Sequence, residues 1–217
     1  MPPSAPMREV MVGEAGLPGL LGCPAQPSGL VIFAHGSGSS RNSGRNQQVA
    51  TALNKVGMAT LLFDLLHPEE EMAAGRARVF DIPFLAKRLI EAVTWARNTP
   101  VGSLPIGFFG ASTGAAAALT AAAYLKNGVS AVVSRGGRPD LAGAALEAVC
   151  TPTLLIVGSR DPEVLDLNRR AARRLSALCI LEVVPDATHL FPERGAMEAV
   201  TELATEWFER YLTVCVV

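Results

Sequence analysis

Short runs of apolar residues, rich in branched side chains, recur along the chain at Leu30–Ala34, Ala59–Phe63, Leu104–Phe109, Val129–Val133, Thr153–Val157 and Cys179–Val184. Runs this short that are apolar at nearly every position read as strands buried on both faces, the habit of parallel sheets. Between them, apolar positions fall at helical spacing over Asn46–Val56, Ile82–Arg97, Gly114–Lys126, Glu163–Leu175 and Ala196–Leu212. Strand and helix therefore alternate, which predicts an α/β fold: a mostly parallel central sheet with helices on both faces and functional loops at the C-terminal strand ends. Arg8–Val12 and Leu17–Leu21 add two further strands as an antiparallel edge. The polar connection Leu65–Phe80, carrying His67-Pro68-Glu69-Glu70-Glu71, is placed to line or cover a site. Val133–Thr153 has room for a short helix but not for a separate lid domain, so the expected pocket is shallow.

The chain has 217 residues, 49% of them hydrophobic, and a formal net charge of −1. That suits one domain spanning 1–217, with residues 1–6 as a disordered N-terminus. No repeat or linker divides it. Balanced charge supplies no electrostatic footprint for nucleic acid. No apolar segment approaches the roughly 20 residues of a membrane span, and Met1–Pro6 lacks the cationic and apolar blocks of a secretory leader. Cys23, Cys150, Cys179 and Cys215 are far apart, with no C-x-x-C pair and no histidine at ligand spacing. The expectation is free thiols in a cytoplasmic protein and no metal, with Cys215 the one candidate for pairing between chains. The apolar tail Thr213–Val217 could contact another subunit, making a homo-oligomer, or close the core.

Gly110-Ala111-Ser112-Thr113-Gly114 joins an apolar strand run to an alanine-rich helical run. A G-x-S-x-G pentapeptide carries meaning in that setting, because a tight strand-to-helix turn lifts a serine hydroxyl clear of its backbone. A serine nucleophile needs a base and an orienting carboxylate. Of three histidines, His189 lies in the loop between the last strand and the final helix and is the candidate base; His35 follows the first core strand, where it holds its loop, and His67 is the weaker third. Asp161 follows the strand Thr153–Val157 and is the candidate carboxylate, although Asp161-Pro162 would also suit a helix cap. Asp140 and Asp166 are rivals, and Asp186 suits a turn-shaping role. For the oxyanion hole, one donor is the Thr113 amide at the start of its helix. The second comes from His35-Gly36-Ser37-Gly38, Ser37 being the first choice and Gly38 the second. That loop lacks the lysine of a P-loop and the G-x-G-x-x-G spacing of a dinucleotide site, so no cofactor is expected.

With Ser112, Asp161 and His189 in that order and an H-G-x-G loop after the first core strand, the chain resembles the α/β-hydrolase superfamily over almost its entire length. It looks most like the small, lidless dienelactone-hydrolase-like branch, which includes bacterial hydrolases described beside phosphoribosyltransferase domains. Phe33 to Arg41, Gly110 to Ala116 and Ser134-Arg135-Gly136-Gly137-Arg138-Pro139-Asp140 carry that narrower likeness. The resemblance implies an acyl-enzyme on Ser112, with His189 as base then acid and Asp161 orienting it. True dienelactone hydrolases use cysteine where this elbow holds serine, so the expected substrates are small carboxylic esters or lactones rather than dienelactone.

Four arginines, Arg41, Arg45, Arg135 and Arg138, gather near the oxyanion loop and the strand after the nucleophile helix. Arg135 and Arg138 could form a bidentate fork with a substrate carboxylate. The alternative is an internal salt bridge to Asp140, Asp161 or a loop carbonyl. Peptidase, thioesterase and acyltransferase chemistry would use the same triad, and a binding protein could keep the fold without turnover.

Overall fold

In the computed structural model of the chain, which describes residues 6–73 and 76–212, the apolar runs become the spine of one eight-stranded sheet. β1 (Met7–Val12) and β2 (Leu17–Gly22) form the antiparallel edge; β3 (Leu30–Ala34), β4 (Ala59–Phe63), β5 (Ile106–Ala111), β6 (Ala131–Arg135), β7 (Thr153–Gly158) and β8 (Cys179–Val184) run parallel. The order across the sheet is β1-β2-β4-β3-β5-β6-β7-β8. β3, β4, β5, β6 and β7 are buried at every position, as their unbroken apolar character requires.

Alternate residues of each strand feed two cores. Leu30, Ile32, Phe108 and Val132 face α4 (Ile82–Arg97) and α5 (Thr113–Leu125), while Val31, Phe33, Phe109 and Val133 face α1 (Gly44–Lys55) and α7 (Ala196–Tyr211). α6 (Pro162–Ala172) packs on β7 and β8. α5 is buried almost all round, and its alanines let α4, β5 and the 3-10 segment Pro139–Ala148 approach closely. On β5, Gly107 leaves the space that the Phe208 ring of α7 fills.

The chain leaves β3 toward β4 on one side and returns to β5 on the other, so the C-terminal ends of β3 and β5 form a topological switch point. Crevices at such points are where open α/β sheets bind ligands.

Two departures from the expected pattern have local causes. Leu65–Phe80 is not a plain connection: it folds into α2 (Pro68–Ala73) and α3 (Arg76–Val79), pinned from outside by His67 Nε2 on Ala15 O (2.8 Å) and by Arg88 on Glu70 (2.7 Å). Val129 and Leu104, expected to open strands, instead sit in turns just before β6 and β5. The expected disorder over residues 1–6 lies almost wholly outside the described residues, as do Cys215 and the tail Thr213–Val217. Cys23, Cys150 and Cys179 are free thiols, and burial pushes the Cys179 thiol up to about 11. Among the described residues no helix is long and apolar enough to cross a membrane, and no cluster of metal-ligating side chains occurs.

Candidate active site

β5 ends at Ala111 and α5 begins at Thr113, leaving Ser112 alone to turn the chain. It does so at φ 51°, ψ −121°, a conformation that costs a non-glycine residue about 1–3 kcal/mol. The surroundings hold it there: Ser112 N donates to Arg135 O at 3.2 Å, and Ser112 O accepts from Ala115 N and Arg138 N, both at 3.1 Å. A side chain on Gly114 would collide with the Ala34 carbonyl, and one on Gly110 would lie 2.5 Å from the Ala115 Cα. The small residues of the pentapeptide are therefore demanded by the packing of strand against helix.

Asp161 occupies the N-cap position of α6, yet its side chain makes no cap hydrogen bond. Its Oδ2 accepts from His189 Nδ1 at 2.7 Å. The capping alternative is thus true of the backbone only, and the carboxylate is turned to the histidine. The rivals are engaged elsewhere: Asp140 pairs with Arg138, Asp166 with Arg170, and Asp186 with Arg160 at the surface. His189 lies beside Gly136, where an added Cβ would meet His189 O at 2.9 Å and Cε1 at 3.6 Å. The Ser112 hydroxyl and the free His189 Nε2 are not closed to hydrogen-bond distance among the described residues.

The segment Ser134 to Asp140, which had no evident mechanical role in the sequence, buttresses the elbow. Arg138 N holds Ser112 O, Asn168 Nδ2 of α6 donates to Gly137 O at 2.9 Å, and the glycines make room for the Ser134 and His189 sides. Buried Asn168 was not singled out from sequence, and nothing in its local pattern distinguishes it. Asp64, directly after buried β4 at the functional edge, carried a readable signal. It takes both the backbone and the guanidinium of Arg41, fixing the loop after β3.

His35 is half-buried, and desolvation pushes its imidazole below its ordinary pKa. An amide can only donate, so Leu65 N on Nε2 (3.0 Å) fixes Nδ1 as the protonated nitrogen, donating to Gly36 O (3.0 Å). His35 thus braces the loop as a neutral ring.

The candidate oxyanion donors differ in how they are engaged. The Ser37 amide, the first-choice donor, is donated to Thr113 Oγ1 at 3.0 Å. It is occupied because Thr113, buried at the helix start, turns its hydroxyl toward the loop. The Gly38 amide, at φ 68°, and the Thr113 amide have no partner among the described residues. Beside this loop lies a cavity of ≈ 160 Å³, bounded by Ser37, Gly38, Leu65, Leu66, Val79 and Thr113 among others. Leu65, Leu66 and Val79 show that the segment 65–80 lines it. Ser112, Asp161 and His189 are not among its walls, so it adjoins the site on the oxyanion side.

The arginines divide. Arg41 is paired with Asp64, and Arg138 forms a fork on Asp140 (2.9 and 2.7 Å) that holds its pKa above the usual value. For Arg138 the internal salt bridge is therefore present. For Arg135 it is absent among the described residues: neither Asp140 nor Asp161 pairs with it, and the one hydrogen bond its side chain makes there is a long 3.5 Å bond to Asn46 Oδ1 of α1.

The family model described as "Alpha/beta hydrolase domain" matches residues 27–209. The chain belongs to this family. A dienelactone hydrolase from Anabaena variabilis is 52% identical, with TM-score 0.90 over 95% of this chain and 97% of its own. This places the chain in the dienelactone-hydrolase-like branch. Est1E from Butyrivibrio proteoclasticus shares the fold at 17% identity and TM-score 0.78, over 95% of this chain and 98% of its own. Two Mycobacterium tuberculosis proteins, from strains H37Rv and CDC 1551, are provisionally named phosphoribosyl transferases; each is 57% identical over 205 residues, 94% of this chain. The chain spans 46% of their length.

Proposed function

We propose that this hydrolase cleaves small carboxylic esters or lactones through an acyl-serine intermediate. The carrying observation is the 2.7 Å His189–Asp161 hydrogen bond set beside the strained Ser112 elbow. Ser112 Oγ attacks the carbonyl carbon while His189 Nε2 takes its proton; the imidazolium then protonates the departing alkoxide. Water repeats the sequence on the acyl-enzyme, giving up its proton to His189, and returns Ser112 with release of the acid. Asp161 holds Nδ1–H and favours the cationic ring. The Thr113 and Gly38 amides are the free donors for the oxyanion, with Ser37 able to join if Thr113 Oγ1 yields its amide. The cavity of ≈ 160 Å³ beside the oxyanion loop suits a short acyl chain.

The Anabaena dienelactone hydrolase and Est1E support a hydrolytic reading. The phosphoribosyl-transferase name belongs to proteins about twice this length, of which this chain matches 46%. Cytoplasmic location and a homo-oligomer remain part of the same proposal.

The test is intact mass and peptide mapping after exposure to a fluorophosphonate, with His189→Ala protein in parallel. One adduct on Ser112, lost without His189, is expected. Folded wild-type protein that takes no adduct would favour the non-catalytic binding protein of the same fold.

A further inference from the structure

Two of the four arginines at the functional edge have no counter-charge among the described residues. Arg135 is 6% exposed, and its Nε is buried without a hydrogen-bond partner. Arg45, in the first turn of α1, is half-buried with its Nε in the same condition, and it forms no ion pair among the described residues. The two lie close: Asn46, next to Arg45 and itself 2% exposed, contacts Arg135. Desolvation, and then the Arg45 charge, pull the Arg135 pKa down to about 10. A buried cation facing a like charge with no carboxylate is a costly arrangement, and an unsatisfied buried donor of this kind calls for an ion. The α1 N-terminus adds positive potential, since the Gly44 and Arg45 amides have no hydrogen-bond partner among the described residues.

The place is beside the chemistry. Arg135 pairs with Ala111 across the sheet, its carbonyl accepts the Ser112 amide, and Gly136 after it packs on His189. We propose that Arg45, Arg135 and Asn46 form an oxyanion subsite that takes a carboxylate or phosphate carried by the ester substrate. Its link to turnover rests on the hydrolase reading above; the anion site itself does not. The guanidinium fork matches either group, and the adjoining elbow puts an ester in the same molecule within reach of Ser112.

Two arms separate the sources. Melting of Ser112→Ala protein is followed with inorganic phosphate and with succinate, which needs no turnover. Hydrolysis of p-nitrophenyl butyrate is compared with that of mono-p-nitrophenyl glutarate. Wild type is run beside Arg45→Gln, which leaves buried Arg135 in place, and Arg169→Gln on the exposed face of α6 serves as control. The expected result is stabilisation by one or both anions and a preference in kcat/KM for the charged ester of about tenfold or more. Both should collapse in Arg45→Gln and persist in Arg169→Gln. Stabilisation by phosphate, with competitive inhibition of butyrate hydrolysis by phosphate but not succinate, assigns the subsite to a phosphate-bearing ester. Anion binding without inhibition or ester preference overturns the substrate role and leaves a free inorganic anion. No anion effect, with butyrate still hydrolysed, overturns the subsite while sparing the hydrolase reading; anion binding without any turnover does the reverse.

Discussion

Replacing Asp161 by Asn separates the proposed triad carboxylate from its neighbour in sequence, Asp186. In the wild type the Asp161 side chain, 15% exposed, accepts from His189 Nδ1 at 2.7 Å, so its charge sits close to the imidazolium formed when Ser112 is deprotonated. Opposite charges about 4 Å apart attract by about 4 kcal/mol at an effective dielectric near 20, or about a thousandfold in rate. His189 is 38% exposed, and water screens part of that attraction. An asparagine amide facing Nδ1 acts in the other direction, because it can select the wrong tautomer; in triad enzymes the change costs about 10⁴ in kcat. The expected loss for Asp161→Asn is therefore on the order of 10³ in kcat/KM. Asp186 has a side chain 79% exposed and pairs with Arg160 at the surface, an interaction of little consequence. Asp186→Asn should stay within about threefold of wild type. Because Asp161 makes no cap bond to α6 and Asp186 is exposed, neither change should move the melting temperature by more than about two degrees. Initial rates on p-nitrophenyl acetate at pH 8 provide the assay. Asp161→Asn retaining more than a tenth of wild-type activity, or Asp186→Asn falling further than Asp161→Asn, would refute the assignment.

His35 is neutral and half-buried, with a folded pKa below its unfolded one, so the unfolded chain binds more protons as pH falls through the unfolded value near 6.5. Its contribution is fully present above that value and is lost toward the folded pKa, at no more than about 1.4 kcal/mol per pH unit. Denaturant midpoints from pH 7.5 to 5 should fall for wild type and fall less steeply for His35→Gln; parallel slopes would show that His35 is not the titrating group. Thr113→Val removes the acceptor for the amide of exposed Ser37, and losing an ordinary hydrogen bond of this kind costs about 0.5–1.5 kcal/mol. Urea unfolding should show that loss and Thr113→Ser should avoid most of it, whereas equal stability of all three proteins would mean that the loop is held by His35 and Asp64 alone. Ser112→Ala should fold normally and lose several orders of magnitude of ester turnover, and undiminished turnover would remove Ser112 from the chemistry.

Burial on both faces leaves an unbroken apolar run and helix packing leaves a three-to-four-residue rhythm, so the strands, the five long helices and the parallel fold were written along the chain itself. The same holds for the Ser112 elbow, since a one-residue turn between strand and helix demands small neighbours, and for the order of Ser112, Asp161 and His189. What needed the tertiary structure was everything set by side-chain direction or by partners distant in sequence. α2 and α3 are short helices stabilised by contacts from β1–β2 and α4, which local propensity does not record. The Ser37 amide is taken by Thr113, 76 residues away. Arg135 and Arg138 are the same residue type three positions apart; one ends a strand and turns inward to meet Asn46, while the other lies in the loop and meets Asp140. A sequence registers that charges are present, but only the fold decides which of them find a partner.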